Sequence, residues 1–172
     1  MDALQNLKER RSIRQYKPDM LPREMIESIV EAGIYAASGK DRQNSIIIAV
    51  TNKALRDRLS ALNAQVLGGQ KDPFYGAPVV LVVLTARDNP NCVYDGSLVM
   101  GNLMLAAHAL GIGSCWIHRA REVFDLPEGK ESLASLGIEG DYEGVGNCIL
   151  GYADCPAPEA KPRKDNYVYF IR

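Results

Sequence analysis

The sequence predicts an α+β domain with a mixed central sheet and an extended C-terminal arm, and three stretches carry that prediction. Residues 78–84, Pro78-Val79-Val80-Leu81-Val82-Val83-Leu84, are apolar throughout, the pattern of a central strand covered by helices on both faces. A long helix opens at Asp95, and from Leu98 to Leu110 only Asn102 and His108 interrupt its apolar surface. That predicts burial all round, either in the core or against a second subunit. Finally, Pro156, Pro158 and Pro162 exclude regular structure until Tyr167-Val168-Tyr169-Phe170, which has the composition of an edge strand.

The remaining elements follow in order. Asp2 is placed to cap a short helix carrying Leu4 and Leu7, which runs out at a cluster of arginines. Pro22 suits the first position of a second helix. Its Met25, Ile26, Ile29, Val30 and Ile34 recur at helical spacing, with Arg23, Glu24, Glu27 and Glu31 on the other side. Residues 36–44 turn small and then polar, a loop leading into the strand Ser45-Ile46-Ile47-Ile48-Ala49-Val50-Thr51. Asn52 can cap the next helix, built on Leu55, Leu59 and Leu62. Residues 65–77, with Gly68, Gly69, Pro73 and Gly76, read as a mobile surface excursion. Gly111 closes the long helix, and Gly101 within it allows close backbone approach. Strands are expected at 113–117 and 146–150, the second ending at Gly151-Tyr152, with a short helix at 131–136 between them. No repeat or linker divides the chain, so residues 1–172 are expected to form one domain.

Composition narrows the function. With 47% hydrophobic and 24% charged residues the chain has the make-up of an ordinary soluble domain. A net charge of −1 gives no global field for nucleic acid or an anionic membrane. No apolar run approaches the roughly 20 residues that span a bilayer. Four cysteines, 92, 115, 148 and 155, form no CxxC pair, and no N-terminal stretch resembles a signal peptide, so a reducing cytoplasm is expected. Only His108 and His118 could join a metal site, and none is expected. Gly111-Ile112-Gly113-Ser114 ends a helix and opens a strand, the reverse of a dinucleotide-binding loop. There is no P-loop, no GxSxG elbow and no locally partnered nucleophile, so any chemistry is expected to come from a bound cofactor.

The densest charge lies in Arg10-Arg11-Ser12-Ile13-Arg14. Arginine forks match phosphate or carboxylate geometry and Ser12 adds a small donor, so the stretch reads as an anion grip or as a solvated basic loop. Lys161, Arg163 and Lys164 concentrate charge again near the other end, the first sign of a shared site.

Four segments together resemble the FMN-dependent nitroreductase family. Arg10-Arg11-Ser12-Ile13-Arg14 is similar to its N-terminal flavin signature, and Ala37-Ser38-Gly39-Lys40-Asp41-Arg42-Gln43-Asn44-Ser45 to its Pro-Ser-x-x-Asn-x-Gln-Pro-Trp loop before a strand. Residues 95–116 resemble the family's central helix running into Gly-x-Gly-Ser-x-Trp, and Gly151-Tyr152 with Lys161-Pro162-Arg163-Lys164 its closing arm. The resemblance implies a three-layer α+β sandwich forming an intertwined homodimer, with FMN at the subunit interface. Arg10, Ser12 and Arg163, helped by Lys161 or Lys164, would hold the phosphate, and Arg11 the phosphate or ribityl region. Arg14 would approach the N1 and C2-carbonyl side of the ring, where a fixed cation stabilises the charge left by reduction. Ala37, Ser38 and Gly39 of the partner's loop would lie beside the ring. Asp41 falls in the same loop, Gln43 would bond the ring's polar edge, and Gly113 and Ser114 would present backbone N–H groups.

The chain departs from the family pattern at Asp41, where Asn is usual, and at Asn44-Ser45, where Pro-Trp is usual. An ionised Asp41 cannot donate and would repel an electron-rich ring edge. The resemblance implies a reductase carrying hydride from NADH or NADPH through FMN to a small acceptor such as a nitroaromatic or quinone, with no protein nucleophile. Reductive dehalogenation, flavin fragmentation, or non-catalytic binding or sensing of FMN or another phosphorylated ligand are the alternatives.

Overall fold

The computed structural model describes residues 2–172. Its chain order is α1 (Ala3–Glu9), α2 (Arg23–Ile34), β1 (Ser45–Val50), α3 (Lys53–Leu67), β2 (Val79–Ala86), α4 (Cys92–Ala109), β3 (Gly113–Ile117), α5 (Ala120–Asp125), α6 (Pro127–Ser135) and β4 (Tyr142–Gly151). Local chemistry sets several boundaries as expected. The Asp2 carboxylate accepts from the Gln5 N–H to cap α1, and the Asn52 side chain accepts from Leu55 N–H to cap α3. Gly111, at φ +74°, ends α4 in the left-handed conformation that glycine adopts freely.

The strands form one sheet in the order β1-β2-β4-β3. Its two faces carry separate cores, which makes three layers. Val79, Leu81 and Val83 of β2 pack with α2 and α4, while Val80, Val82 and Leu84 pack on the face of α3, α5 and α6. All six are fully buried, each contributing about 1.5–3 kcal/mol of transfer free energy. Among the described residues no helix is long and apolar enough to cross a membrane.

Three expectations require correction. The sheet is antiparallel at every strand pair rather than mixed, the one parallel contact among the described residues being the isolated Ser12–Ser114 bridge. Two-sided burial reports helical cover and carries no information on strand direction. Direction is set by residues 68–77, which bring the chain back to the end of the sheet it left, so that Val80 pairs with Val50. That segment is not a mobile excursion. Asp72 accepts from Arg56 Nη2 (2.6 Å), Ser60 Oγ (2.5 Å) and the N–H groups of Phe74 and Gly76 (both 2.8 Å), Arg56 Nε donates to the Ala77 carbonyl (3.0 Å), and Phe74 is buried. The strand expected at 167–170 is also absent. Tyr167, Val168, Tyr169 and Phe170 are all exposed in an arm whose last backbone bond to the body, among the described residues, is Asp154 N–H to the Gln15 carbonyl. An edge strand requires a neighbour, and the described residues offer it none.

Smaller differences follow from short elements. β4 extends from Tyr142, α6 begins at Pro127, and six-residue α5 is too short to show a period. α4 starts three residues before Asp95. It is buried on one side only, with Val99, Met100, Leu103 and Ala107 inward while Val93, Tyr94 and Leu98 face out.

Burial raises the Asp72 pKa, but the bonds from Arg56, Ser60, Gly76 and Phe74 outweigh it and hold the carboxyl below its ordinary range. A depressed folded pKa contributes stability above the unfolded value and loses it as pH falls. Asp72→Asn is therefore expected to lower the urea unfolding free energy by about 2 kcal/mol at pH 7. The deficit should begin to shrink below about pH 4, the ordinary carboxyl value.

Candidate functional site

At the β3 edge, the strip after α1 is stitched to the sheet. Ile13 N–H donates to the Ser114 carbonyl (2.9 Å), Lys17 N–H to the Tyr152 carbonyl (2.9 Å), and the Tyr16 hydroxyl to the Ile13 carbonyl (2.6 Å). Ile13 and Tyr16 point inward and are buried, so Arg14 between them is turned out and exposed. Burial pushes the Tyr16 phenol far above its ordinary pKa, which keeps it a neutral staple. This stitching brings Arg10, Ser12, Arg14, Gly113 and Ser114 together from segments about 100 residues apart in sequence. Arg11 turns back instead, donating Nη1 to the carbonyls of Lys8 and Arg10 (both 2.7 Å) at the end of α1.

Several polar atoms at this edge are buried without a partner among the described residues: Arg10 Nη1, Ser114 Oγ and Trp116 Nε1, with Asn6 Oδ1 and His108 Nε2 on neighbouring α1 and α4. An unpaired buried donor costs about 1–3 kcal/mol, more when charged. Gly146 is required beneath the Trp116 indole, since an added Cβ would stand 2.6 Å from Nε1. Arg14 forms part of the wall of a cavity of about 420 Å³.

The second group lies in the loop before β1. Ala37, Ser38 and Gln43 line a cavity of about 150 Å³ with Ser45, Asp95 and Val99. Asp95, buried in the first turn of α4, holds the loop: Oδ1 accepts from Gly39 N–H (2.9 Å) and Oδ2 from Asn89 Nδ2 (2.7 Å), which also reaches Asn44 Oδ1 (3.2 Å). Lys40, Asp41 and Gln43 all have positive φ, at 55°, 52° and 52°, which stores about 1 kcal/mol or more each. Asp41 accepts from Gln43 Nε2 (2.9 Å), and Ser38 Oγ accepts from Gln43 N–H (3.1 Å).

The fold does not bring the two groups together. β1 and β3 are opposite edges of the sheet, about 14 Å apart at three strand spacings. Nor does it carry the arm to Arg10: Lys161, Arg163 and Lys164 are exposed, and Lys164 Nζ sits 5.5 Å from the centre of the Tyr167 ring. Burial pushes the thiols of Cys92 and Cys148 up, so both stay protonated and poor nucleophiles.

Sequence reasoning treated Asp95 only as a helix opener and missed its hold on the loop. The available signal was a carboxylate at the start of a helix otherwise almost wholly apolar. Asp95→Ala is expected to free Gly39, speeding exchange of its amide by about tenfold or more at a cost of about 2 kcal/mol in stability. Hydrogen-exchange mass spectrometry of peptides covering residues 37–44, with a urea melt, reads both.

A family model described as the Nitroreductase family matches residues 7–152. An FMN-bound nitroreductase from Bacteroides fragilis superposes with a TM-score of 0.91 over the full length of both chains at 26% identity. Another with bound FMN, from Desulfitobacterium hafniense, gives 0.88 at 29% identity, over 99% of this chain and all of that one. A protein of Archaeoglobus fulgidus named as an NADH dehydrogenase/NAD(P)H nitroreductase is 30% identical over 154 residues, covering 81% of this chain and 87% of the relative. The chain belongs to the nitroreductase family.

Proposed function

We propose that residues 1–172 form one domain of an FMN-dependent oxidoreductase, which draws reducing equivalents from NADH or NADPH and delivers them to a small acceptor such as a nitroaromatic or quinone. The observation that carries this is that Arg10 Nη1 and Ser114 Oγ are each buried without a partner among the described residues, with Ser114 bridged to Ser12. A buried guanidinium N–H and a buried hydroxyl fit a phosphate, which accepts from both. Bound FMN supplies the reversible two-electron chemistry.

The chain's own residues divide the remaining work. Arg10, Ser12 and Ser114 bind at the phosphate end, and Gly113 lets the backbone approach. Arg14 is the exposed cation available to stabilise negative charge gained on reduction. Asp95 holds Ala37, Ser38, Gly39, Asp41 and Gln43 in one shape for the opposite side of the ring.

Because those halves lie on opposite sheet edges, the complete site requires a homodimer in which the loop of one chain meets the β3 edge of the other. The outward stripe of α4 and the exposed aromatic arm supply apolar surface for that contact. The unpaired outer edge of β1 can accept an arm as a further strand. Such an exchange would also carry Arg163 and Lys164 to a phosphate. The cysteines are free, which agrees with a cytoplasmic setting. Neither the non-catalytic binder nor the dehalogenating and fragmenting reactions draw support from a particular residue.

Purified protein should be yellow and bleach anaerobically with NADH or NADPH. Arg10→Ala should weaken FMN binding by about 10- to 150-fold in a fluorescence titration. Colourless protein that takes up no added FMN, or an Arg10→Ala variant of unchanged affinity, would refute the assignment.

A further inference from the structure

The turn joining β2 to α4 grips the loop before β1 through side chains. Asn89 Nδ2 donates to Asp95 Oδ2 (2.7 Å) and to Asn44 Oδ1 (3.2 Å), while Asn89 Oδ1 accepts from the Asn91 N–H (3.0 Å). Beside them the Ser45 and Thr85 hydroxyls are 2.7 Å apart, and the Asn44 carbonyl accepts from the Ala86 N–H (3.1 Å). Asn44 and Ser45 are residues at which the chain departs from the family pattern, and both are tied to the end of β2 and its turn.

The grip has one polarity. Asn89 is 2% exposed and Asp95 4%, so their polar atoms depend on each other and not on water. A backbone N–H donates to Asn89 Oδ1 and a carboxylate oxygen accepts from Nδ2, which leaves the amide a single orientation. Asp95 is held with Oδ1 on the Gly39 N–H (2.9 Å), and a Cβ added to Gly39 would collide with Asn91 Nδ2.

The turn is itself anchored on its far side. Asn89 N–H donates to the Ala86 carbonyl (3.2 Å), and the Asn89 carbonyl accepts from the Cys92 N–H (3.0 Å). Arg87 is clamped by Asp125 at the end of α5, by Asp141 just before β4 and by Glu143 within it (both 3.1 Å). Asn89 therefore reaches the loop from a support fixed by other elements, which sets its direction before a ligand arrives.

We propose that Asn89 is a positioning residue for the β1 half of the site, keeping Ala37 to Gln43 in their binding shape by gripping Asp95 and Asn44 at once. Its effect on FMN rests on the flavin reading above, and its effect on the loop does not. A clasp of this kind depends on which partner donates. It is broken by reversing one polarity at constant shape and restored by reversing both.

Asn89→Asp keeps the shape and sets carboxylate against carboxylate. In the full-length protein it should speed amide exchange in peptides covering residues 37–44 about 10-fold or more and weaken FMN binding about 10-fold. The reciprocal double variant Asn89→Asp/Asp95→Asn again places a donor opposite an acceptor, still offers Gly39 an oxygen and keeps the net charge. Both quantities should return to within about threefold of the unaltered protein. Asn44→Ala removes only the half-buried end of the clasp and should speed the same exchange about threefold, a test that stands even if Asn89→Asp does not fold. Unchanged exchange in Asn44→Ala and Asn89→Asp, or a double variant no better than Asn89→Asp, would overturn the proposal. Exchange restored without FMN affinity would overturn the positioning role. Failure of the unaltered protein to take up FMN would instead overturn the flavin reading, and exchange in residues 37–44 is read separately from it.

Discussion

The strand order β1-β2-β4-β3 is the constraint on which the rest of the account depends. It places the loop leading into β1 and the strip seated on β3 at opposite edges of one hydrogen-bonded sheet, about 14 Å apart. No rotamer change closes that distance, because closing it would break the ladder that buries β2. Yet each half is built with care. Buried donors without partners gather at the β3 edge, and three left-handed residues are held in place at the β1 edge. In the proposed dimer, a two-fold axis pairs unlike edges of identical chains and yields two equivalent sites.

Each half in turn hangs on a few bonds. At the β3 edge the Ile13–Ser114 bond and the buried Tyr16 decide which residues of the arginine strip face out, so Arg14 is exposed and Arg10 is drawn inward. At the β1 edge one buried carboxylate, Asp95, links the long helix to the loop. Asp72 ties residues 68–77 back onto α3 through Arg56 and Ser60.

Much of the fold was legible in the sequence where local chemistry decides it. Caps at Asp2 and Asn52, the glycine after α4, and the all-apolar run of β2 each depend on residues a few positions apart. What was not legible depends on partners distant in the chain. Strand direction follows from the return of residues 68–77 along α3, and in the proposed dimer Tyr167 to Phe170 would meet a neighbour outside this chain. For the site, residue types and order indicated Arg10, Ser12, Arg14 and Ser114, which the fold gathers, and the loop of Ala37 to Gln43, which it keeps apart from them. The role of Asp95 and the orphaned Trp116 Nε1 appear only once the chain is folded.

The central claim is that one working site takes its two halves from two chains. Complementation between two defective variants tests it most directly. Arg10→Ala disables the β3 half, and Ala37→Trp fills the β1-side cavity while leaving the β3 half untouched. Each alone should hold little FMN. Co-expressed with different affinity tags and purified through both, the mixed dimer should regain one intact site, with about one FMN per two chains. Flavin content no higher than in either parent, or a monomer carrying a full equivalent of FMN, would contradict the account.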